Sequence, residues 1–149
     1  MPPIADQVTE QMKQAMKARD ERRLVALRSM RSAFLNEMKK DNSTAVSDEV
    51  CEGLLRKLEK QRKESIEAFS NAGREELAAA ERAELAVIQE FLPKLADEAK
   101  TRAWVEEAVA ASGATSAKDV GKVMGALMKA RKGEIDGDLA RRIVQERLA

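Results

Sequence analysis

The stretch "DVGKVMGALMKARKGEIDGDLARRIVQ", residues 119 to 145, sets four glycines among cationic residues and apolar residues that recur at helical spacing. Glycine weakens a helix by roughly 1 kcal/mol relative to alanine, so Gly121 and Gly125 need a reason to lie inside one. Three reasons are open: the glycines bind a phosphate, they let two helices approach closely, or they serve only packing.

The order of residues around these glycines excludes a P-loop. A P-loop has four residues between its first glycine and Gly-Lys-Ser/Thr, whereas Lys122 follows Gly121 directly and precedes a valine. Glycines four residues apart are typical of close contact between helices. We therefore expect another helix to cross at Gly121 and Gly125.

Helical periodicity predicts two helices in this stretch. The first starts at Ser116, with Asp119 as its capping-box partner, and ends at Gly133. The second follows a cap at Asp136 and begins at Gly137. The first helix is expected to bury an apolar stripe made of Val120, Val123, Met124, Leu127 and Met128.

The same periodicity extends upstream and predicts an all-α protein. Helices are expected at about residues 4–18, 21–40 and 48–70, then up to Leu92 and over 97–111, with Ser47 as a cap and Gly73 as a left-handed terminator. We expect a four-helix N-terminal unit, residues 1–93, and a three-helix C-terminal bundle, residues 94–149, divided at Leu92-Pro93. The apolar residues that recur at helical spacing include Met16, Leu35, Val50 and Leu77.

Composition limits the compartment in which we expect the protein to work and the class of partner that we expect it to bind. The longest apolar run is about six residues, far below the ~20 needed to cross a bilayer, and the start does not read as a signal peptide. A single cysteine suits a reducing cytoplasm, where we expect the protein to work. Residues 1–44, 45–99 and 100–149 carry net charges of +3, −5 and +3, so the ends can attract polyanions.

Residues that commonly carry catalysis are scarce. The chain has no histidine, which removes the commonest general base and most transition-metal sites. Cys51 lies near a helix start, but Asp48, Glu49 and Glu52 oppose ionisation of its thiol, so we expect an inert buried or half-buried cysteine. We expect no catalytic residues, no metal and no cofactor.

The cations of the last two helices are the candidate functional residues. Lys122, Lys129 and Lys132 fall along one side of the first helix, away from the apolar stripe. Contacts to phosphates are one interpretation and a merely solvated face is the other; the helix starts at Ser116 and Asp136 offer backbone N–H groups as well. The full candidate set for RNA binding is Lys122, Lys129, Arg131, Lys132, Arg141 and Arg142.

The run "GALMKARKGEIDGDLARRIV", residues 125–144, resembles the tail motif of the GatB/YqeY family. The upstream stretches 12–37 and 61–93 are similar to the rest of the stand-alone YqeY proteins. Ala96 departs from the family, which usually has a Ser or Thr helix cap there, and Asp97 is expected to replace it. The tail positions that match are Gly125, Met128, Lys129, Lys132, Gly133, Asp136, Gly137, Leu139 and Ile143.

The resemblance implies a function around tRNA. GatB is a subunit of the tRNA-dependent amidotransferase; its tail reaches tRNA, while its chemistry lies in a catalytic domain absent from this chain. The resemblance therefore implies a non-catalytic module that binds tRNA through the basic C-terminal surface. Two alternatives stay open: an adaptor for a tRNA-handling enzyme, and a carbon-nitrogen ligase with glutamine as amido donor. The oligomeric state is open too.

Overall fold

The computed structural model describes residues 2–149, and within this range the chain is helical without a strand, so the predicted all-α class is confirmed. The α-helices of these residues are α1 (Ile4–Ala18), α2 (Glu21–Asp41), α3 (Asp48–Asn71), α4 (Glu75–Gln89), α5 (Glu98–Ser112), α6 (Val120–Ala130) and α7 (Gly137–Leu148). A short 3-10 helix, Ala117–Asp119, leads into α6.

The helices form two compact units. Unit 1 ends at Leu92 and contains α1 to α4; unit 2, Pro93–Ala149, contains α5 to α7. Each unit has its own cluster of buried apolar side chains. That the two units fold as separate domains stays a prediction.

The side-chain caps that begin α3 and α5 and the left-handed glycine that follows α3 agree with the sequence prediction. The Ser47 hydroxyl accepts the N–H of Val50 at 3.3 Å, and the Asp97 carboxylate accepts the N–H of Lys100 at 2.9 Å. Gly73 has the left-handed φ of +74° expected of a helix terminator. The caps that stop α3 and start α5 therefore follow from local chemistry.

The end of α4 differs from the prediction. The helix stops at Gln89, and the N–H groups of Phe91 and Leu92 reach back only three residues, to Ile88 and Gln89. Pro93 disfavours helical backbone at the residue before it, so the last turn tightens before the chain leaves unit 1.

Buried side chains from all four helices of unit 1 meet in one core. Leu27, Met30, Phe34 and Leu55 are fully or almost fully buried there. Met16, Leu35, Val50 and Leu77 belong to the helical periodicity but lie outside the core, since they are 57%, 40%, 39% and 43% exposed. Helical spacing alone therefore does not decide which apolar residues are buried.

Polar contacts cross the seam between α3 and α4. The Arg62 guanidinium lies 2.9 Å from Glu84 and 3.4 Å from Glu81, and it also reaches the Ser29 hydroxyl of α2 at 3.5 Å. Glu59, buried in α3, accepts a hydrogen bond from Gln89 of α4 at 3.2 Å. These pairings fix how the two helices align, because a shift along the seam would leave half-buried charges without partners.

Substitutions in the two cores test the division into domains. Leu55→Ala should cost unit 1 about 2–5 kcal/mol, and Val144→Ala should destabilise only unit 2, because each empties a fully buried position in its own cluster. Calorimetry of the full chain should resolve two unfolding transitions, each lowered by one variant. One transition that both variants lower equally would contradict separate domains.

Candidate nucleic-acid interface

The apolar side of α6 determines which residues of unit 2 face solvent. Val123, Met124 and Leu127 are buried against side chains of α5 and α7. Residues 121, 122, 125, 126 and 128–130 are all exposed. The inward stripe thus leaves a continuous outward face on the other side of the helix.

The prediction for Gly121 and Gly125 is wrong. A Cβ added at either position would meet no neighbouring atom within 4 Å among the described residues, so no helix crosses there. Both glycines lie on the exposed face, where they leave the helix backbone uncovered. The four-residue spacing indicated a close contact, but the same spacing also places two residues on one solvent-facing side.

The two glycines that follow α6 differ in outcome: α6 ends at Ala130, three residues before the predicted end at Gly133, whereas α7 begins at Gly137 as predicted. Gly133 has a left-handed φ of +80°, which favours glycine, and Gly137 is the first residue of α7. Met128 is 40% exposed, so its predicted burial is wrong. Its side chain lies instead over Gly137, with its methyl carbon 3.8 Å from the position of an added Cβ.

The lysines of α6 lie together on its outward face. Lys122 and Lys129 are exposed and seven residues apart, which separates them by about 10 Å along the axis. Lys118 lies in the 3-10 helix before α6 and Lys132 in the turn after it, and both are exposed. Among the described residues, none of the four has an ion pair within 4 Å. We call this surface, Lys118, Gly121, Lys122, Gly125, Lys129 and Lys132, the α6 lysine face.

Sequence reasoning missed Lys118. It precedes the predicted apolar stripe, and nothing in the composition sets it apart from other lysines. Its i,i+4 spacing from Lys122 is the signal that would have found it, because residues four apart share a helix face.

Arg131 belongs to the interior of unit 2 rather than to this face. Its guanidinium carbon lies 4.4 Å from the centre of the Trp104 ring, and the Lys100 ammonium lies 5.4 Å from the same centre. Arg131 also lies 3.8 Å from the Glu107 carboxylate. These contacts hold the end of α6 against α5 through a cation–π pair.

The predicted arginines of α7 differ from one another. Arg142 binds Glu98 of α5 at 3.1 Å, and Arg102 joins that carboxylate to Glu146 of α7. Arg142 therefore bridges α5 and α7, and it can bind a phosphate only if it releases Glu98. Arg141 is exposed, without an ion pair to any described residue, but no contact joins it to the lysines.

The helix starts offer less to a phosphate than expected. The Asp119 carboxylate accepts the N–H groups of Thr115 and Ser116, within the capping box that the sequence predicts. These hydrogen bonds are the main reason why the pKa of Asp119 is lowered, with Lys118 and Lys122 adding to it. Asp136 likewise accepts the N–H groups of Asp138 and Leu139. Those N–H groups are already occupied.

Aromatic side chains are turned inward throughout the described residues. Trp104 is 8% exposed, Phe34 is 2% exposed, and Phe69 and Phe91 are half-buried. Unpaired bases bind single-strand readers by stacking on exposed rings. The surface therefore offers charge to a nucleic acid, and no stacking platform.

Cys51 is fully buried, as the sequence predicts for an inert thiol. Its pKa is raised to about 11, chiefly by burial and also by Asp48 and Glu52, while a hydrogen bond with the backbone of Ala5 works in the other direction. A thiol that is neutral and sealed at pH 7 is a poor nucleophile.

No cluster of three or more metal-ligating side chains lies between residues 2 and 149. None of the helices in this range has both the length and the apolar character that crossing a bilayer requires.

The sequence matches the family described as "Yqey-like protein" over residues 5–148. The chain belongs to the Yqey-like family. A relative of the Yqey-like chain is "Altered inheritance of mitochondria protein 41, mitochondrial" of the yeast Vanderwaltozyma polyspora, 36% identical over 84 residues. The matched region is 56% of this chain and 45% of the yeast protein, so the chain spans about half the length of that relative.

Filling the glycine positions should stabilise the Yqey-like chain. Gly125→Ala should raise the free energy of unfolding of unit 2 by about 1 kcal/mol, because alanine favours helix and its methyl group meets open space. Gly133→Ala is the matched control and should destabilise, because φ is +80° there. Urea unfolding measures both. A destabilised Gly125→Ala protein would mean that the exposed position is in fact packed.

The burial of Cys51 predicts a pH-dependent stability. The folded thiol keeps its proton to about pH 11, whereas an unfolded thiol ionises near pH 9, so stability falls between these values as the unfolded state loses its proton first. Cys51→Ala should remove this part of the pH dependence. Urea unfolding of both proteins at pH 8 and pH 10 measures this part of the pH dependence. If the unmodified protein and Cys51→Ala lose the same free energy of unfolding between pH 8 and pH 10, the raised pKa is contradicted.

Proposed function

We propose that this protein binds structured RNA, tRNA in particular, through the α6 lysine face, and that unit 2 acts as a three-helix module of the GatB/YqeY tail type. The observation that carries the proposal is the lysine set itself: Lys122 and Lys129 share the exposed side of α6, the exposed Lys118 and Lys132 flank that helix, and none of the four has a carboxylate within 4 Å among the described residues. Ammonium groups without a salt bridge can contact a phosphate backbone. Asp119 offsets part of the charge of Lys118 and Lys122, while its own hydrogen bonds come from Thr115 and Ser116.

The glycines support this proposal. Gly121 and Gly125 lower the middle of the face, so a sugar-phosphate strand can lie close to the helix while the longer lysines reach its phosphates from either side. A larger side chain at either position would keep the strand away from the backbone. This gives a surface role to residues that cost the helix stability.

The inward aromatic side chains favour a folded RNA over a single strand. Because Arg131 covers Trp104, binding depends on charge and shape and not on stacking. Charge and shape are the features by which proteins recognise double-helical RNA. Lysines bind phosphates as point charges and do not read base edges in the bidentate manner of arginine. We therefore expect affinity for many tRNAs with little discrimination among them.

The function is tested by tRNA binding at several salt concentrations. Lys129→Gln with Lys132→Gln should lower the affinity for total tRNA about tenfold or more at low salt and should reduce the slope of log K against log [salt] by roughly one to two, because two phosphate contacts are lost. Fluorescence anisotropy with labelled tRNA measures both quantities.

The matched control removes the same charge elsewhere. Lys60→Gln with Lys63→Gln changes two exposed lysines of α3 and should leave the affinity nearly unchanged. Equal losses from the two double variants would mean that binding follows net charge and not the α6 lysine face. No binding of the unmodified protein at low salt would refute the tRNA function.

A further inference from the structure

The outward side of α2 in unit 1 has no role in the fold or in the proposed RNA surface. Five exposed residues recur along it at alternating steps of three and four: Val25, Arg28, Ser32, Leu35 and Lys39. Residues at these steps lie along one side of the helix, which we call the α2 seam. The seam points to solvent, because α2 buries its opposite side, with Leu27, Met30 and Phe34, in the core.

Two side chains of this seam are aliphatic and exposed. Val25 is 50% exposed and Leu35 is 40% exposed, ten residues and therefore about 15 Å apart. Beside Leu35 lies a depression of about 280 Å³, whose lining includes Phe34, Met38 and Val46. Its lining is mixed, with Asp6 and Arg31 among the apolar residues, and an open depression of this kind next to an exposed leucine can receive one apolar anchor of a partner.

The charge of this side is uneven. The cations on and beside the seam are Arg22, Arg28, Arg31 and Lys39, and none of them has a carboxylate within 4 Å among the described residues. Asp6 lines the depression beside Leu35, and Glu21 and Glu84 line a separate hollow with Arg22 and Val25, where Glu84 is already bound to Arg62. Four cations against two uncommitted carboxylates leave a positive surface around two apolar side chains.

Several other arginines of unit 1 do have carboxylate partners. Arg23 binds Glu90 at 2.7 Å, Arg56 binds Glu59 at 3.2 Å, and Arg82 lies 3.6 Å from Glu75. The cations on the outward side of α2 are thus left without the carboxylates that satisfy these three arginines. An acidic partner would supply them.

We propose that this side of α2 docks an acidic amphipathic helix of a partner protein. The partner presents two apolar residues about three turns apart, one against Val25 and the other in the depression beside Leu35. Its carboxylates lie between them and face Arg28 and Arg31. The combination of aliphatic and cationic residues selects such a helix, because RNA would leave the aliphatic side chains without a partner. A second copy of α2 would bring cations against cations.

A designed peptide tests the docking surface directly. The probe is a labelled, end-blocked helical peptide of Ala, Gln and Glu with two leucines ten residues apart and glutamates between them. Fluorescence anisotropy should detect binding to the full chain. A peptide with serines in place of the leucines, and one with glutamines in place of the glutamates, should each bind about tenfold more weakly or worse, because each lacks one half of the complementarity.

Variants of the protein locate the binding. Val25→Ser with Leu35→Ser, and separately Arg28→Gln with Arg31→Gln, should each weaken the leucine peptide about tenfold or more. These residues are exposed, so circular dichroism should remain unchanged. Arg74→Gln with Met128→Ser is the matched control: it alters an exposed arginine and an exposed apolar residue elsewhere and should bind the peptide normally.

Four outcomes would overturn the proposal. The first is the absence of peptide binding at low salt, and the second is equal binding of the serine peptide, which would make the surface a general polyanion binder. The third is displacement of the peptide by an equimolar RNA duplex, which would assign the surface to RNA. The last is self-association of the chain, blocked by Val25→Ser with Leu35→Ser in sedimentation, which would make a second copy the occupant.

Discussion

The packing of α6 onto Trp104 and the apolar residues around it determines what unit 2 presents to solvent. Val123 and Leu127 bury one side of the helix, and Arg131 at its end lies against the Trp104 ring of α5. With one side and one end held, the rotation of the helix about its axis is fixed. The outward direction of Lys122 and Lys129 is a consequence of that packing, so the proposed RNA surface depends on an apolar contact that no RNA would touch.

Arginine and lysine have different roles in this chain. Arg62, Arg102 and Arg142 bridge helices through glutamates, in keeping with a planar group that binds carboxylates at fixed angles. The lysines of α6 are exposed. The arginines on the outward side of α2 have no carboxylate within 4 Å among the described residues, and the same holds for Arg141 of α7. The lack of a partner therefore distinguishes the α2 side only together with its exposed Val25 and Leu35.

Much of the fold could be predicted because its signals are local. The caps at Ser47, Asp97 and Asp136 and the left-handed turn at Gly73 depend on residues within one helical turn. What failed depends on distant residues. The spacing of Gly121 and Gly125 does not say whether a neighbour covers them, and the apolar character of Leu35 and Met128 does not say which side their helices bury. For the site, the sequence identified three of the four lysines, but only the structure separated them from Arg131 and Arg142, whose partners lie on α5.

The two glycines of α6 also have a consequence for motion. The helix has only 11 residues, a length at which an isolated helix is marginal, and two of them are the residue that disfavours helix most after proline. Its backbone N–H groups near Gly121 and Gly125 should therefore open and exchange with solvent deuterium sooner than those of the neighbouring α5 and α7. Local opening in the middle of a binding surface couples ligand binding to the order of the helix. A ligand that lies across the glycines would slow this exchange. Of the helices of unit 2, α6 would then gain the most protection when the ligand binds.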